Sequence, residues 1–209
     1  MLLAFIILYA LSLLYVCATE RFRHYALLVG LQGWLLLAIA LMQLGNSSSL
    51  EQIFIVTETL VFKGILVPYL LFRIIRQNQV NKAHRIAIPT FISVMISIVA
   101  LVCSLWITSF VASTGVNTMF LGIALFGLLT GLIMITTHRR IFSHMIGFLV
   151  IENTVMLLSL AVGIEMPMLI NVGVLLDILM GVLILGIFIN KIGSRIHSLD
   201  SGELTRLKD

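Results

Sequence analysis

The sequence predicts an all-α, polytopic membrane protein with seven transmembrane helices. Hydrophobic residues make up 60% of the 209 residues and charged residues only 11%, whereas soluble domains carry about 25% charged residues. The mean hydropathy is +1.16. The apolar residues are also grouped into runs long enough for a bilayer, which takes about 20 residues of helix to cross. These runs are too long for strands of a membrane barrel and lack their alternating pattern.

Seven apolar runs account for the helices, and the basic residues between them predict the orientation. The runs cover residues 1–19, 25–44, 52–75, 87–111, 117–137, 141–163 and 167–190. Of the 13 Lys and Arg residues, 11 follow the first, third, fifth or seventh run, Arg73 lies at the end of the third run and Lys63 inside it, and the other connections contain none. Because short basic connections stay in the cytoplasm, we expect the N terminus outside and the C terminus inside. Arg21 and Arg23 follow the first run rather than precede it, which indicates a permanent span and not a signal peptide.

Charge and cysteine content exclude several classes of function. The net charge of +4 and the pI near 9.4 result from the basic connections, so the expected partner is the anionic lipid bilayer and no nucleic acid. Cys17 and Cys103 lie in separate runs, and no Cys or His cluster has the spacing of a metal or haem site. His138 and His144, six residues apart, point in different directions and suit an interfacial role better than metal binding. We expect no metal, no cofactor and no catalytic chemistry in this chain.

Four charged residues, Glu58, Lys63, Glu152 and Asp177, lie well inside the apolar runs, away from their ends. A charged side chain at the centre of a membrane helix is disfavoured by roughly 2.5–3.5 kcal/mol, so a purely structural helix would use an apolar residue. Lys63, Glu152 and Asp177 fall near the bilayer midplane, with Glu58 closer to the outer face. Glu58 and Lys63 are about 140° apart around their helix and cannot pair with each other. Each is expected to face a different neighbouring helix.

Two interpretations fit these charges. In the first, Lys63 pairs with Glu152 or Asp177 only to hold the helices together. In the second, these three groups transfer protons, because low dielectric favours the neutral forms of carboxyl and amine groups and brings them into proton exchange near neutral pH. Asn153, beside Glu152, is a possible accessory residue that orders water, and Pro68 is expected to kink the third helix one turn after Lys63.

The segment from residue 120 to residue 192 has a recognisable order of parts. A glycine-rich helix leads to a basic turn, then to a helix with Glu152 and Asn153 at its middle, and finally to a helix with Asp177 at midplane. This order resembles the three-helix NuoK-type subunit of complex I and its antiporter relatives. The resemblance implies that Glu152 and, by position, Asp177 belong to a proton path, with Asp177 standing where that family usually has Glu. The glycines are Gly122, Gly127 and Gly131, and the turn is His138, Arg139 and Arg140.

The whole chain resembles hydrogenase-4 component E, the HyfE-type membrane subunit of formate hydrogenlyase and group 4 [NiFe] hydrogenase complexes. Four stretches carry this resemblance in the same order and spacing, from the third helix to the C terminus; Glu58 is outside the pattern. The stretches are Lys63-Gly64-Ile65-Leu66-Val67-Pro68, residues 147–153, residues 177–191, and the tail with Leu199-Asp200, Leu204-Thr205 and Leu207-Lys208.

The resemblance implies a non-catalytic, proton-conducting or coupling subunit in the cytoplasmic membrane of a prokaryote. Its partners would be antiporter-like and other membrane-arm subunits, together with a peripheral hydrogenase or related redox module that carries the NiFe and iron–sulfur centres. Residues 1–116 would form a four-helix membrane region, 117–192 the NuoK-like unit and 193–209 a cytoplasmic tail. The alternatives are a stand-alone secondary transporter of a small ion or solute and a structural membrane anchor.

Overall fold

Every element of the described chain is helical, as the sequence predicts. The computed structural model describes residues 1–19, 21–43, 56–57, 59–78, 89–111, 117–138, 141–162 and 186. Several predicted features lie outside these residues. They are Glu58, the tail, and the seventh run with Asp177, of which only Gly186 is described. The helices are α1 (Leu2–Ala18), α2 (Phe22–Gln43), a π-helix (Thr59–Leu66) that continues as α3 (Val67–Asn78), α4 (Thr90–Phe110), α5 (Thr118–Thr137) and α6 (Ile141–Val162).

Length and apolar composition make this a membrane protein. Helices α2, α4, α5 and α6 are each long and apolar enough to cross a bilayer, and α1 is a shorter apolar helix. The surface has the same character: Phe91, Trp106 and Phe110 on α4 are 75%, 66% and 69% exposed. Buried positions, in contrast, include Gln32 and Glu152. Large apolar residues outside and polar residues inside suit a protein whose surroundings are lipid.

Successive helices run in opposite directions, and packing is side by side for α1 with α2, α2 with the π-helix, α4 with α5 and α5 with α6. Gly30 faces Pro68 and Gly33 faces Lys63, so α2 and the following helix are antiparallel. Helix α2 also packs against α1 and α6, and α5 packs against α4, α6 and α1. The core therefore lies between α1, α2, α5 and α6, while α4 is peripheral. Contacts between α2 and α6 cross the predicted boundary at residue 116, which joins the two predicted regions into one packed unit.

Short polar contacts define the helix ends. Asn117 precedes α5 and its side-chain oxygen accepts a hydrogen bond from the Phe120 N–H at 3.4 Å, which satisfies one of the free donors at that N-terminus. At the opposite end, the turns after α1 and after α5 meet. There the rings of Phe22 and Phe142 pack edge to face with centroids 4.6 Å apart. This contact places the N-terminal ends of α2 and α6 next to each other, at the same end of the bundle.

Glycine allows α5 and α6 to approach backbone to backbone. A Cβ at Gly131 would overlap the side chain of Ile151 and lie 2.8 Å from the carbonyl oxygen of Gly147, and a Cβ at Gly147 would lie 2.9 Å from that of Gly131. A Cβ at Gly127 would lie 2.5 Å from the Thr154 hydroxyl. Small residues spaced four apart permit this approach in membrane helices. The contact fixes the height of α6, and with it Glu152, against the bundle.

Candidate functional site

Lys63 lies in an irregular helix at the centre of the bundle. Residues Thr59–Leu66 form a π-helix, which changes to α-helix at Val67. Pro68 is the second residue of α3, where its missing N–H and fixed φ are tolerated. The kink expected at Pro68 stays a prediction. The turns before it form a π-helix, an arrangement that is frequent at functional sites. Gly33 makes room for it, because a Cβ there would lie 2.7 Å from the Lys63 carbonyl oxygen.

Lys63 and Glu152 form a buried ion pair across the bundle. The Nζ atom of Lys63 lies 2.6 Å from Oε1 of Glu152, and the two side chains are 10% and 8% exposed. Glu152 is at the middle of α6, and Lys63 is opposite Gly33 near the middle of α2. The pair therefore lies deep in the apolar part of the protein. At this distance it is a charge-assisted hydrogen bond.

A methionine completes the surroundings of the Lys63 ammonium group. Its Nζ atom lies 3.6 Å from the sulfur of Met156, one turn after Glu152 on α6. The Thr59 hydroxyl lies 3.8 Å from the same sulfur. A thioether is only a weak acceptor, so it stabilises an ammonium group less than a second oxygen would. Lys63 thus depends mainly on Glu152 for its hydrogen bonding among the described residues.

The structure also places residues near this pair that the sequence interpretation did not select. Tyr9 of α1 is fully buried, interacts with Glu152 and Thr154, and its hydroxyl has no hydrogen-bond partner among the described residues. Gln32 of α2 is fully buried, and Asn153 is 2% exposed. Asn153 was an expected accessory residue, but Tyr9 and Gln32 were missed. The signal for Gln32 was present, since it is a lone amide within an apolar run.

A second polar cluster lies where the turns meet, around His138. The Tyr25 hydroxyl donates to the Thr19 carbonyl at 2.6 Å and lies 3.3 Å from Nε2 of His138. His144 donates through Nε2 to the His138 carbonyl at 2.6 Å. Burial lowers the pKa of the His138 ring below its usual range; the Met134 carbonyl opposes this shift, and the charge of His144 adds to it. The cluster ties two turns together, and the interfacial role of both histidines stays a prediction.

The predicted site residues are thus partly accounted for. Lys63 and Glu152 are in contact, Asn153 directly follows Glu152 in sequence and Pro68 follows the π-helix. Glu58 and Asp177 lie outside the described residues. No group of three or more His, Cys, Asp or Glu side chains within the described helices could hold a metal ion. The arrangement holds a carboxylate and an amine within hydrogen-bond distance of each other.

Comparison of the chain with protein families, curated proteins and solved structures finds no match. The class that fold and site define is a helical membrane protein with a buried acid–base pair. The resemblance to hydrogenase-4 component E stays a prediction based on the sequence stretches given above.

Proposed function

We propose that the chain is a proton-coupling, non-catalytic membrane subunit of a hydrogenase-4-like, complex-I-related assembly. The observation that carries this proposal is the Lys63–Glu152 ion pair, 2.6 Å long and buried in the middle of apolar helices. An ammonium with a carboxylate has the same net charge as an amine with a carboxylic acid. A proton can therefore move between Lys63 and Glu152 without leaving an uncompensated charge in low dielectric. This is the property that a midmembrane relay requires.

In this proposal the pair is one station in a lateral line of titratable groups. When Glu152 takes up a proton, Lys63 loses its partner and can interact with a group of a neighbouring subunit. When that proton leaves, the Lys63–Glu152 pair forms again, so the protonation of one subunit can influence the next. Asp177 would be a further station, by resemblance to the NuoK-type subunit. The end of the bundle that carries His138 would face the cytoplasm, and seven spans would complete the membrane domain. The electron-transfer centres would belong to the partners.

Neutralising Glu152 as Gln tests the relay. We expect Glu152→Gln to assemble but to lower proton translocation at least about 100-fold, the scale of a general acid–base group. The measurement is dye-detected acidification of inverted membrane vesicles during turnover of the complex. Thr130→Val is the matched control, because Thr130 is also buried and its hydroxyl donates to the Phe126 carbonyl of its own helix. Normal acidification by Glu152→Gln would disprove the relay.

Co-purification tests the assembly. Mass spectrometry of the particle extracted with the tagged chain in mild detergent is expected to find antiporter-like membrane subunits and a redox module with NiFe or iron–sulfur centres. Interfaces between membrane subunits survive such detergents when they bury large apolar areas. A chain that purifies alone would contradict this partner assignment.

One structural feature favours the stand-alone transporter as a second candidate. Solute and ion sites in transporters form where a membrane helix departs from regular geometry, and the π-helical turns that contain Lys63 are such a departure. Lys63 and Glu152 would then bind the substrate rather than relay protons to a neighbour. Solute or ion flux by the isolated chain in liposomes would support this candidate, and its absence together with co-purified subunits would exclude it.

A further inference from the structure

Several buried polar atoms beside the ion pair have no hydrogen-bond partner among the described residues. They are both polar atoms of the Gln32 carboxamide, Nδ2 of Asn153 and the hydroxyl of Tyr9. Gln32 and Tyr9 are 0% exposed and Asn153 is 2% exposed. Each unpaired buried group costs about 1–3 kcal/mol. A bundle with no use for these groups would have apolar residues in their place.

Two contacts place Gln32 at the depth of the ion pair. The first is between Phe22 and Phe142, which aligns the starts of the neighbouring helices α2 and α6. Gln32 and Glu152 each lie ten residues further along their helices, from 22 to 32 and from 142 to 152, which is about 15 Å along the axis in both cases. The second contact is between Gly33, next to Gln32, and the backbone of Lys63.

The direction of Gln32 follows from Tyr25, which lies seven residues earlier and so on nearly the same face of α2. The Tyr25 hydroxyl reaches Thr19, at the end of α1, and His138, at the end of α5. Gln32, two turns further along, therefore faces the same space between α1 and the α5–α6 pair. Tyr9 enters this space from α1, since it interacts with Glu152 and Thr154 of α6.

The chemistry of these atoms suits water. A carboxamide supplies an acceptor and two donors, the Asn153 nitrogen supplies donors, and a tyrosine hydroxyl is both donor and acceptor. Buried waters typically make about three hydrogen bonds to otherwise unsatisfied polar groups. The described atoms here are neutral apart from the ion pair itself, so they match a small neutral ligand that donates and accepts. Such a ligand must also be small enough to fit between packed helices.

We propose that Gln32, Asn153 and Tyr9 bind ordered water inside the membrane bundle, beside the Lys63–Glu152 pair. The water would give Glu152 a hydrogen-bonded route for its proton on the side away from Lys63. Gln32 and Tyr9 are then positioning residues, which act through the water and do not exchange the proton themselves. Only the role of the water rests on the proposed relay; the existence of the water site does not.

Radiolytic labelling of the full chain in its native complex tests the site directly. Hydroxyl radicals formed by a short X-ray pulse in oxygen-18 water oxidise side chains that contact bound water. Tyr25 is the matched control, because it is the same residue type, is also 0% exposed and has its hydroxyl bonded to a protein carbonyl. We expect Tyr9 to take up oxygen-18 several-fold faster than Tyr25. Equal and minimal labelling of both tyrosines would overturn the proposal.

Gln32→Leu shows what the water does. It keeps the approximate volume of the side chain and removes the amide, so we expect Tyr9 labelling to fall to the Tyr25 level and proton translocation to fall about tenfold, equivalent to one hydrogen bond. Unchanged Tyr9 labelling in this variant would remove Gln32 from the site.

Tyr9 labelling and the Glu152→Gln variant together separate the water site from the relay. If Tyr9 is labelled but Glu152→Gln translocates protons normally, the relay is disproved and the water site is supported. If Glu152→Gln is inactive but Tyr9 is unlabelled, the water site alone fails. If Gln32→Leu does not fold, the comparison of Tyr9 with Tyr25 labelling in the unaltered chain still tests whether the water site exists.

Discussion

The Lys63→Met variant is expected to unfold more easily by about 3–5 kcal/mol and to lose proton translocation. Met has nearly the length of the Lys side chain but no charge, so Glu152 would be left as a buried acid without its cation. Breaking a buried ion pair by removing one partner costs this much because the remaining charge is uncompensated. The Met156 sulfur cannot replace Lys63, since it has no proton to donate.

Unfolding can be followed with a thiol-reactive fluorophore, because Cys17 is buried and Cys103 is exposed. In a Cys103→Ser background, Cys17 on α1 becomes the reporter, and dye incorporation during heating of the purified chain gives the midpoint of unfolding. The Cys103→Ser chain with Lys63 and Glu152 intact is the reference. A Lys63→Met midpoint equal to that of the reference would mean that the pair is not buried as described.

The double variant Lys63→Met/Glu152→Met separates the two interpretations of the ion pair. Replacement of a whole buried pair by apolar residues of similar volume is often neutral or stabilising by about 1–4 kcal/mol, so we expect the unfolding midpoint to recover. Proton translocation should stay lost if the pair is a relay, because no titratable group remains there. If translocation recovers together with stability, the first interpretation is correct, and the pair only holds α6 to the π-helix.

Charge and hydropathy predicted the helical architecture because both are dictated by the bilayer itself. The predicted runs 117–137 and 141–163 correspond within a residue to α5 (Thr118–Thr137) and α6 (Ile141–Val162). Such agreement is expected where one apolar run has to span one hydrocarbon layer. The importance of Lys63 and Glu152 was visible for the same reason, since each is costly at its depth. Their pairing with each other was one of two open alternatives, the other being a pair with Asp177.

Helix packing decided what the sequence could not show. The choice of Glu152 as the partner of Lys63 depends on how α6 rotates against the π-helix, and apolar helices have no amphipathic pattern that predicts rotation. The π-helix also packs closely against Gly33 at the Lys63 carbonyl, a contact between distant residues. Tyr9 resembled an ordinary aromatic residue of an apolar helix. Its significance comes only from the neighbouring Thr154 and Glu152.

The rotation and height of α6 are in turn set by glycine, which gives the second large expected effect. Gly131→Val should destabilise the chain by about 3 kcal/mol, at the upper end of the range for overpacking. Its Cβ would overlap Ile151 and lie 2.8 Å from the Gly147 carbonyl oxygen. A backbone carbonyl cannot swing aside as a flexible side chain can, so the two helices have to move apart.

A graded series of glycine variants checks this expectation in the same thiol-labelling experiment. A Cβ at Gly64 meets its nearest atoms at 3.7 Å, which is ordinary contact, and one at Gly122 meets the flexible end of Leu105 at 3.0 Å. Unfolding midpoints should therefore fall in the order Gly64→Ala, Gly122→Ala, Gly131→Val. A Gly131→Val midpoint as high as that of Gly64→Ala would refute the close α5–α6 contact.

Because Ile151 precedes Glu152 directly, displacement of α6 also moves the carboxylate relative to Lys63. Gly131→Val should therefore reduce proton translocation without altering any titratable group.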